Sequence, residues 1–101
     1  MRPSIAFERH RADVRSLVIH FRAGNLRVFG SLARGDDADG SDLDILVDAL
    51  PGATLFDLGG LQVELEDMLG VPINLLTPED LLEKFRAKAL AEARPVEHTL
   101  D

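Results

Sequence analysis

The segment GSLARG at residues 30–35, followed by SDLD at residues 41–44, decides the fold of this chain. The first segment places a Gly-Ser turn directly after one apolar run, and the second places two aspartates at the head of another. Side chains alternate between the two faces of a strand, so Asp42 and Asp44 are expected to point the same way. Two carboxylates this close repel each other unless a cation lies between them. Mg²⁺ is a hard cation that carboxylates and substrate phosphates hold together. The pattern therefore predicts a site for a metal-bound nucleoside triphosphate.

The spacing of these segments resembles the signature of the nucleotidyltransferase superfamily that includes DNA polymerase beta. Gly30 and Ser31 are followed by ten residues and then by the pair Asp42-x-Asp44, with Ala33-Arg34-Gly35 and Ser41 between them. In its small size the chain is similar to the minimal nucleotidyltransferases, the MNT domain proteins, which are often antitoxin partners of HEPN-domain toxins. The resemblance extends from the first predicted strand to the last predicted helix.

The resemblance implies a role for each of these residues. Gly30 and Ser31 would bind the β and γ phosphates of the nucleotide. Asp42 and Asp44 would be the catalytic acids and the ligands of Mg²⁺, the implied cofactor, with ATP as the implied substrate. For Arg34 two interpretations stay open, a contact with the triphosphate or an ion pair with an aspartate of the loop that follows.

The chain departs from the family pattern at one position. The family carries a third carboxylate on the strand after the long helix, and Asn74 takes that place here. A neutral amide can offer its oxygen to a metal but cannot accept the proton of a nucleophile. Asp48 does not replace the acid, because it lies about 13 Å beyond Asp44 at ~3.3 Å per residue. Glu64 and Glu66 on the long helix remain open as replacements.

Composition sets the remaining limits. The 101 residues suit a single domain, residues 1–101, with an aliphatic core because Trp and Tyr are absent. The net charge of −7 argues against direct nucleic-acid binding, which depends on neutralising phosphates with Lys and Arg. An acidic surface suits a basic protein partner, although solubility alone explains it equally well. The lack of Cys excludes disulfides, and the lack of a secretory or membrane-spanning segment predicts a cytoplasmic protein.

Hydrophobic periodicity predicts an α/β fold, with helices packed on a small mixed sheet of about three strands in the order αβ(α)βαβα. Gly24 is expected to end the first helix, and Gly59-Gly60 leaves open a later start for the second long helix than residue 54. The predicted helices cover about 4–23, 54–69 and 78–93, and the predicted strands 26–29, 42–47 and 72–76. A short helix opens within 31–35, and the last helix directs Leu81, Leu82, Phe85 and Ala89 inward.

Three functional hypotheses follow. The first is a nucleotidyltransferase antitoxin that moves AMP, or another NMP, from Mg-NTP to a hydroxyl of a HEPN-type toxin, typically a tyrosine in the family. The second, motivated by Asn74, is a weak or inactive nucleotide-binding module that neutralises the toxin by forming a complex. The third is half of an antibiotic-modifying transferase, which aminoglycoside acceptors would reveal. The family resemblance also implies a homo- or hetero-oligomer.

Overall fold

The computed structural model describes residues 1–81 and 83–96. Two short helices precede the sheet, and the longest helix lies between its second and third strands. The helices are α1 (Pro3–Arg9), α2 (Arg11–His20), α3 (Gly30–Arg34), α4 (Leu55–Leu69) and α5 (Glu83–Glu92), with a 3-10 turn at Pro78–Asp80. The strands are β1 (Ala23–Phe29), β2 (Leu43–Ala49), β3 (Ile73–Leu76) and β4 (Arg94–Pro95).

The four strands form one mixed sheet in the order β3-β2-β1-β4. β1 runs antiparallel to β2 and to β4, whereas β3 runs parallel to β2 and is reached through α4. A parallel neighbour requires such a crossover, because a hairpin reverses the chain. Strand β2 lies in the interior, and Leu43, Ile45, Leu46 and Val47 are each 0% exposed. The predicted α/β class is confirmed, with one more strand than expected.

Helix α4 is fixed by capping residues at both ends and by one close contact with Phe21. Thr54 and Asp57 form a capping box at the start, and Gly70 ends the helix in the left-handed region (φ 69°). A Cβ on Gly60 would lie 2.8 Å from the Phe21 ring, so the missing side chain lets α4 approach the α2 end closely. The predicted bounds of 54–69 therefore agree with α4 within a residue, and the alternative of a later start is not observed, because tertiary packing outweighs the low helix propensity of glycine.

The predicted N-terminal helix is two helices. His10 leaves the helical conformation (φ −122°, ψ 21°), which separates α1 from α2. Gly24 does not end a helix but lies within β1, which begins three residues earlier than predicted. The chain turns into the sheet at Arg22 (φ 60°) and again at Asn25 (φ 49°), where the β1–β2 register shifts. Such a bulge leaves no periodic signal in the sequence.

The predicted C-terminal helix is also divided. Thr77 and Asp80 form a capping box, but the turn they start is 3-10, and Leu81 then adopts an extended conformation (φ −81°, ψ 136°). Phe85 is 52% exposed on the new helix α5 rather than inward. Leu82 lies outside the described residues. After α5 the chain adds β4, and the Val96 N–H donates to the Leu26 carbonyl at 2.9 Å.

Within residues 1–81 and 83–96, every helix is too short or too polar to cross a membrane. That residues 1–101 form a single domain stays a prediction.

Candidate active site

Three neighbouring strands bring the predicted site residues to one place. Gly30 follows β1 directly and begins α3, and Ser31 comes next. Asp42 immediately precedes β2, and Asp44 on β2 is opposite Phe29, the last residue of β1. On the other side of β2, Asp44 is in register with Asn74 of β3. The pairing of β2 with both neighbours therefore assembles the Gly-Ser turn, the two acids and the amide.

Asn74 joins the two carboxylates. Its Nδ2 donates to Asp44 Oδ1 at 2.8 Å and to Asp42 Oδ2 at 3.3 Å. An amide group carries two N–H donors, one for each carboxylate. The neighbouring Ile73 is 3% exposed in the core, so alternation along β3 turns Asn74 to the solvent face. The predicted equivalence of Asn74 with a third site position agrees with this register.

Gly30 permits a close approach to Asp44. Its φ of 68° lies in the left-handed region, which side chains other than glycine adopt at a cost. A Cβ at this position would also collide with the Asp44 carboxylate, whose Cγ would be 3.1 Å away. Both the backbone and the neighbouring acid therefore require glycine here, whereas Gly35 (φ 78°) ends α3 with open space around it.

Arg34 lies at the end of α3 and forms two ion pairs. Its Nε is 3.4 Å from Asp36 Oδ2, and its Nη1 is 3.7 Å from Glu92 Oε2 of α5. The side chain is 51% exposed, so these pairs are readily exchanged for another anion. A cleft of about 470 Å³ beside it is lined by residues 33–34 and 91–94. The predicted pairing with an acid of the loop is observed, and a triphosphate contact stays a prediction.

The loop that connects α3 to Asp42 is anchored by one buried acid. Asp37 is 4% exposed and accepts hydrogen bonds from the Ser4 N–H at 2.9 Å and from Arg2 Nη2 at 3.4 Å. Burial alone raises the pKa of Asp37, but the hydrogen bonds from Ser4 and the charge of Arg2 outweigh it and lower the pKa below 3.8. The Ser41 hydroxyl accepts from the Ala38 N–H at 3.0 Å and closes the turn before Asp42. The acidic loop is thus partly structural rather than simply solvated.

In the middle of the same loop, Asp39 is exposed and accepts a hydrogen bond from the N-terminal ammonium group at 2.7 Å. This hydrogen bond, together with the positive charge, lowers the pKa of Asp39. Sequence reasoning missed the role of Asp37 because its partners lie more than thirty positions away in the chain. No local pattern marks one aspartate of an acidic run as buried.

The donor set at Asp42 and Asp44 fits a magnesium ion. Hard cations prefer oxygen ligands, and two carboxylates that converge on one nitrogen atom are placed to share a cation instead. Within the described part of the chain, no group of three or more His, Cys, Asp or Glu side chains is placed to hold a metal. Asp48 is bound to Arg27 at 2.6 Å, and Glu66 accepts from the Ile73 N–H at 3.4 Å. Neither therefore supplies a third acid, and Glu64 lines a cleft with Asp13 and Leu17 of α2 instead.

Comparison with known proteins points to one family. A family model for the nucleotidyltransferase domain matches residues 8–96. Two proteins of Methanocaldococcus jannaschii, each named as a putative protein adenylyltransferase, are similar in sequence. MJ0435 is 39% identical over 66 residues, which cover 65% of this chain and 71% of the relative. MJ1217 is 31% identical over 72 residues, which cover 71% and 74%.

Solved structures share the fold. A structure described as a putative minimal nucleotidyltransferase matches with a TM-score of 0.81 at 38% identity, over 91% of this chain and 94% of that chain. A chain of a toxin–antitoxin complex with AMP-PNP matches with a TM-score of 0.72 at 18% identity, over 87% and 73%. A chain of the toxin–antitoxin MntA-HpeT matches with a TM-score of 0.69 at 14% identity, over 87% and 72%.

The last two likenesses concern the fold alone. The family match, by contrast, spans most of the chain and includes both the Gly-Ser turn and the two acids at the head of β2. With the sequence likeness to the two archaeal relatives, it establishes that this chain belongs to the nucleotidyltransferase domain family.

Proposed function

We propose that this protein transfers AMP from Mg-ATP to a hydroxyl of a partner protein, the HEPN-type toxin of a toxin–antitoxin pair. The convergence of Asp42 and Asp44 beside the Gly30 turn carries the proposal, because it offers a metal-binding pair next to a site for phosphate. The names of the archaeal relatives support a protein acceptor. The toxin–antitoxin neighbours, one of them with AMP-PNP, support a toxin partner and an adenine nucleotide.

Each residue then has a defined task. Asp42 and Asp44 hold Mg²⁺, which when bound offsets the charge of the triphosphate and lowers the pKa of an attacking hydroxyl. Ser31 donates its hydroxyl to the phosphates, and Gly30 lets them approach the backbone. Because α3 has only five residues, local N–H groups rather than a long helix dipole contribute there. Arg34 exchanges its exposed ion pairs for the triphosphate.

The reaction requires one bond to form and one to break. The acceptor oxygen bonds to the α-phosphorus, the bond between that phosphorus and the bridging oxygen breaks, and pyrophosphate leaves. The hydroxyl proton passes to solvent or to a base of the partner, since the Asn74 amide cannot accept it. Such ATP-dependent chemistry is consistent with action in the cytoplasm, which we include in the proposal.

Intact mass spectrometry of the toxin tests this function. The candidate toxin is incubated with this protein, Mg²⁺ and ATP, and a mass gain of AMP units is expected. Asp44→Ala should abolish the gain. Asp48→Ala is the matched control, because Asp48 lies on the same strand but binds Arg27 and Asn25 instead. If Asp44→Ala modified the toxin as well as wild type does, catalysis by this site would be excluded.

A second function is favoured by Asn74 alone. Without a third acid the protein would act by binding alone and would neutralise the toxin in a complex, with or without nucleotide. In that case Asp42→Ala and Asp44→Ala would leave neutralisation intact, whereas a transferase antitoxin would lose it. Growth of cells that express the toxin with each variant distinguishes the two.

A further inference from the structure

We propose that this site binds a single divalent cation together with the nucleotide, and that Asn74 is the residue that sets this number. The proposal rests on the function above and concerns the metal content of the same site. It depends on the hydrogen bonds of Asn74 and on the charges that surround it.

The position of Asn74 is fixed by the sheet rather than by its own side chain. The β2–β3 register places it beside Asp44, and its Nδ2 lies within hydrogen-bond distance of both carboxylates. The opposite orientation of the amide would set its oxygen against two anions, which is unfavourable. The donor side of the amide thus lies between the two acids.

The charge that the protein itself supplies at the site matches one divalent ion. Asp42 and Asp44 together carry two negative charges, which balance one Mg²⁺ or Mn²⁺. A second ion would depend on the nucleotide phosphates and on a neutral amide oxygen, and Mg²⁺ sites in proteins use at least one carboxylate as a rule. No further acid is at hand among the residues that the structure describes.

Two other acids, Asp48 of β2 and Glu66 of α4, already have partners. Asp48 accepts from Arg27 and from the Asn25 amide, at 2.6 Å and 2.9 Å. Glu66 of α4 accepts from the Ile73 N–H at 3.4 Å. The single substitution Asn74→Asp would therefore add a metal ligand to the site. The oxygens of the new carboxylate would lie where the amide now contacts both acids.

Manganese titration followed by electron paramagnetic resonance tests the proposal, because free Mn²⁺ gives a signal that bound Mn²⁺ loses. The protein is saturated with α,β-methylene-ATP, which does not react, and MnCl₂ is added. Wild type is expected to bind one Mn²⁺ per chain, and Asn74→Asp to bind two. Asn74→Ala should stay at one, because both ligating carboxylates remain.

Asn25→Asp is the matched control. Asn25 also donates its amide to an aspartate, Asp48, at a distance of 2.9 Å, but it lies away from the two site acids in the register of β1 with β2. The Asn25→Asp variant should bind one Mn²⁺. This result would show that a new acid adds a second ion only when it is placed at position 74. Circular dichroism melting of each variant confirms that it is folded.

Two results would overturn the inference while leaving the proposed function intact: two Mn²⁺ per chain in wild type, or one in folded Asn74→Asp. A wild-type protein that binds neither Mn²⁺ nor the nucleotide would overturn both the inference and the proposed function. The measurement counts ions and does not depend on catalysis.

Discussion

The substitution Gly30→Ala separates the stability of the fold from the geometry of the site. The residue has φ 68°, and an Ala side chain in this region costs about 1–2 kcal/mol. Alanine also lowers the entropy of the unfolded chain, which stabilises the fold by about 0.4–1 kcal/mol. The net backbone effect on the free energy of unfolding is therefore a loss of about 1 kcal/mol. The new Cβ also displaces the Asp44 carboxylate, whose bond to Asn74 is worth about 1 kcal/mol at a partly exposed site.

Gly35→Ala is the control that isolates the second effect. Gly35 has φ 78°, and an added Cβ would meet nothing within 4 Å. We therefore expect Gly30→Ala to lower the free energy of unfolding by about 2 kcal/mol and Gly35→Ala by about 1 kcal/mol. In a domain of this size each kcal/mol lowers Tm by roughly 4–8 °C.

Nucleotide binding should differ more than stability does. The displaced Asp44 no longer points at the cation, so the affinity of Gly30→Ala for Mg-α,β-methylene-ATP should fall at least about tenfold, or 1.4 kcal/mol. Gly35→Ala should bind as wild type does. Thermal melting and isothermal titration calorimetry measure the two quantities. If Gly30→Ala bound the nucleotide as tightly as Gly35→Ala, the contact between Gly30 and Asp44 would have no part in binding.

Three further predictions concern single side chains. Asp37→Asn should lower the free energy of unfolding by about 1–3 kcal/mol at pH 7. Because folding lowers the pKa of Asp37 from 3.8, the stabilisation by its carboxylate is complete above pH 3.8 and is lost as the pH falls through the folded-state pKa. Urea titrations should therefore show the free energies of unfolding of wild type and Asp37→Asn converging in acid. A difference between them that did not change with pH would contradict this. Arg34→Ala should weaken binding of ATP roughly fivefold or more and of AMP less, since a guanidinium–phosphate bond is charge-assisted; equal losses in calorimetry would exclude a contact with the outer phosphates. Leu61→Ala should cost about 2–5 kcal/mol in urea denaturation because Leu61 is 0% exposed, whereas Val63→Ala, 56% exposed on the same helix, should change stability little.

Much of the fold was accessible from local patterns. The apolar run after Asp44 predicted a buried strand, and the predicted helix over about 54–69 agrees with α4 within a residue. These features depend on neighbours a few positions apart, which sequence periodicity records. The prediction that Asn74 takes the place of a third acid depended on family resemblance, and the β2–β3 register agrees with it.

Other features were beyond such patterns. The two-residue strand β4 pairs with β1 through backbone groups, so its sequence, Arg94-Pro95, carries no strand signal. Phe85 occupies a helical apolar position yet is exposed, because α5 begins anew after the 3-10 turn and presents a different face. Burial of Asp37 depends on a helix N-terminus that is remote in the chain.

The sequence by itself determined the alternation that puts Asp42 and Asp44 on one face and the glycine that follows β1. Only the tertiary structure decided which side chains contact those residues. The Asn74 amide reaches both carboxylates because α4 returns the chain to a parallel strand in a particular register, and a shift of one residue would turn Asn74 into the core. Residues thirty positions apart are brought together by strand pairing, which local composition does not encode.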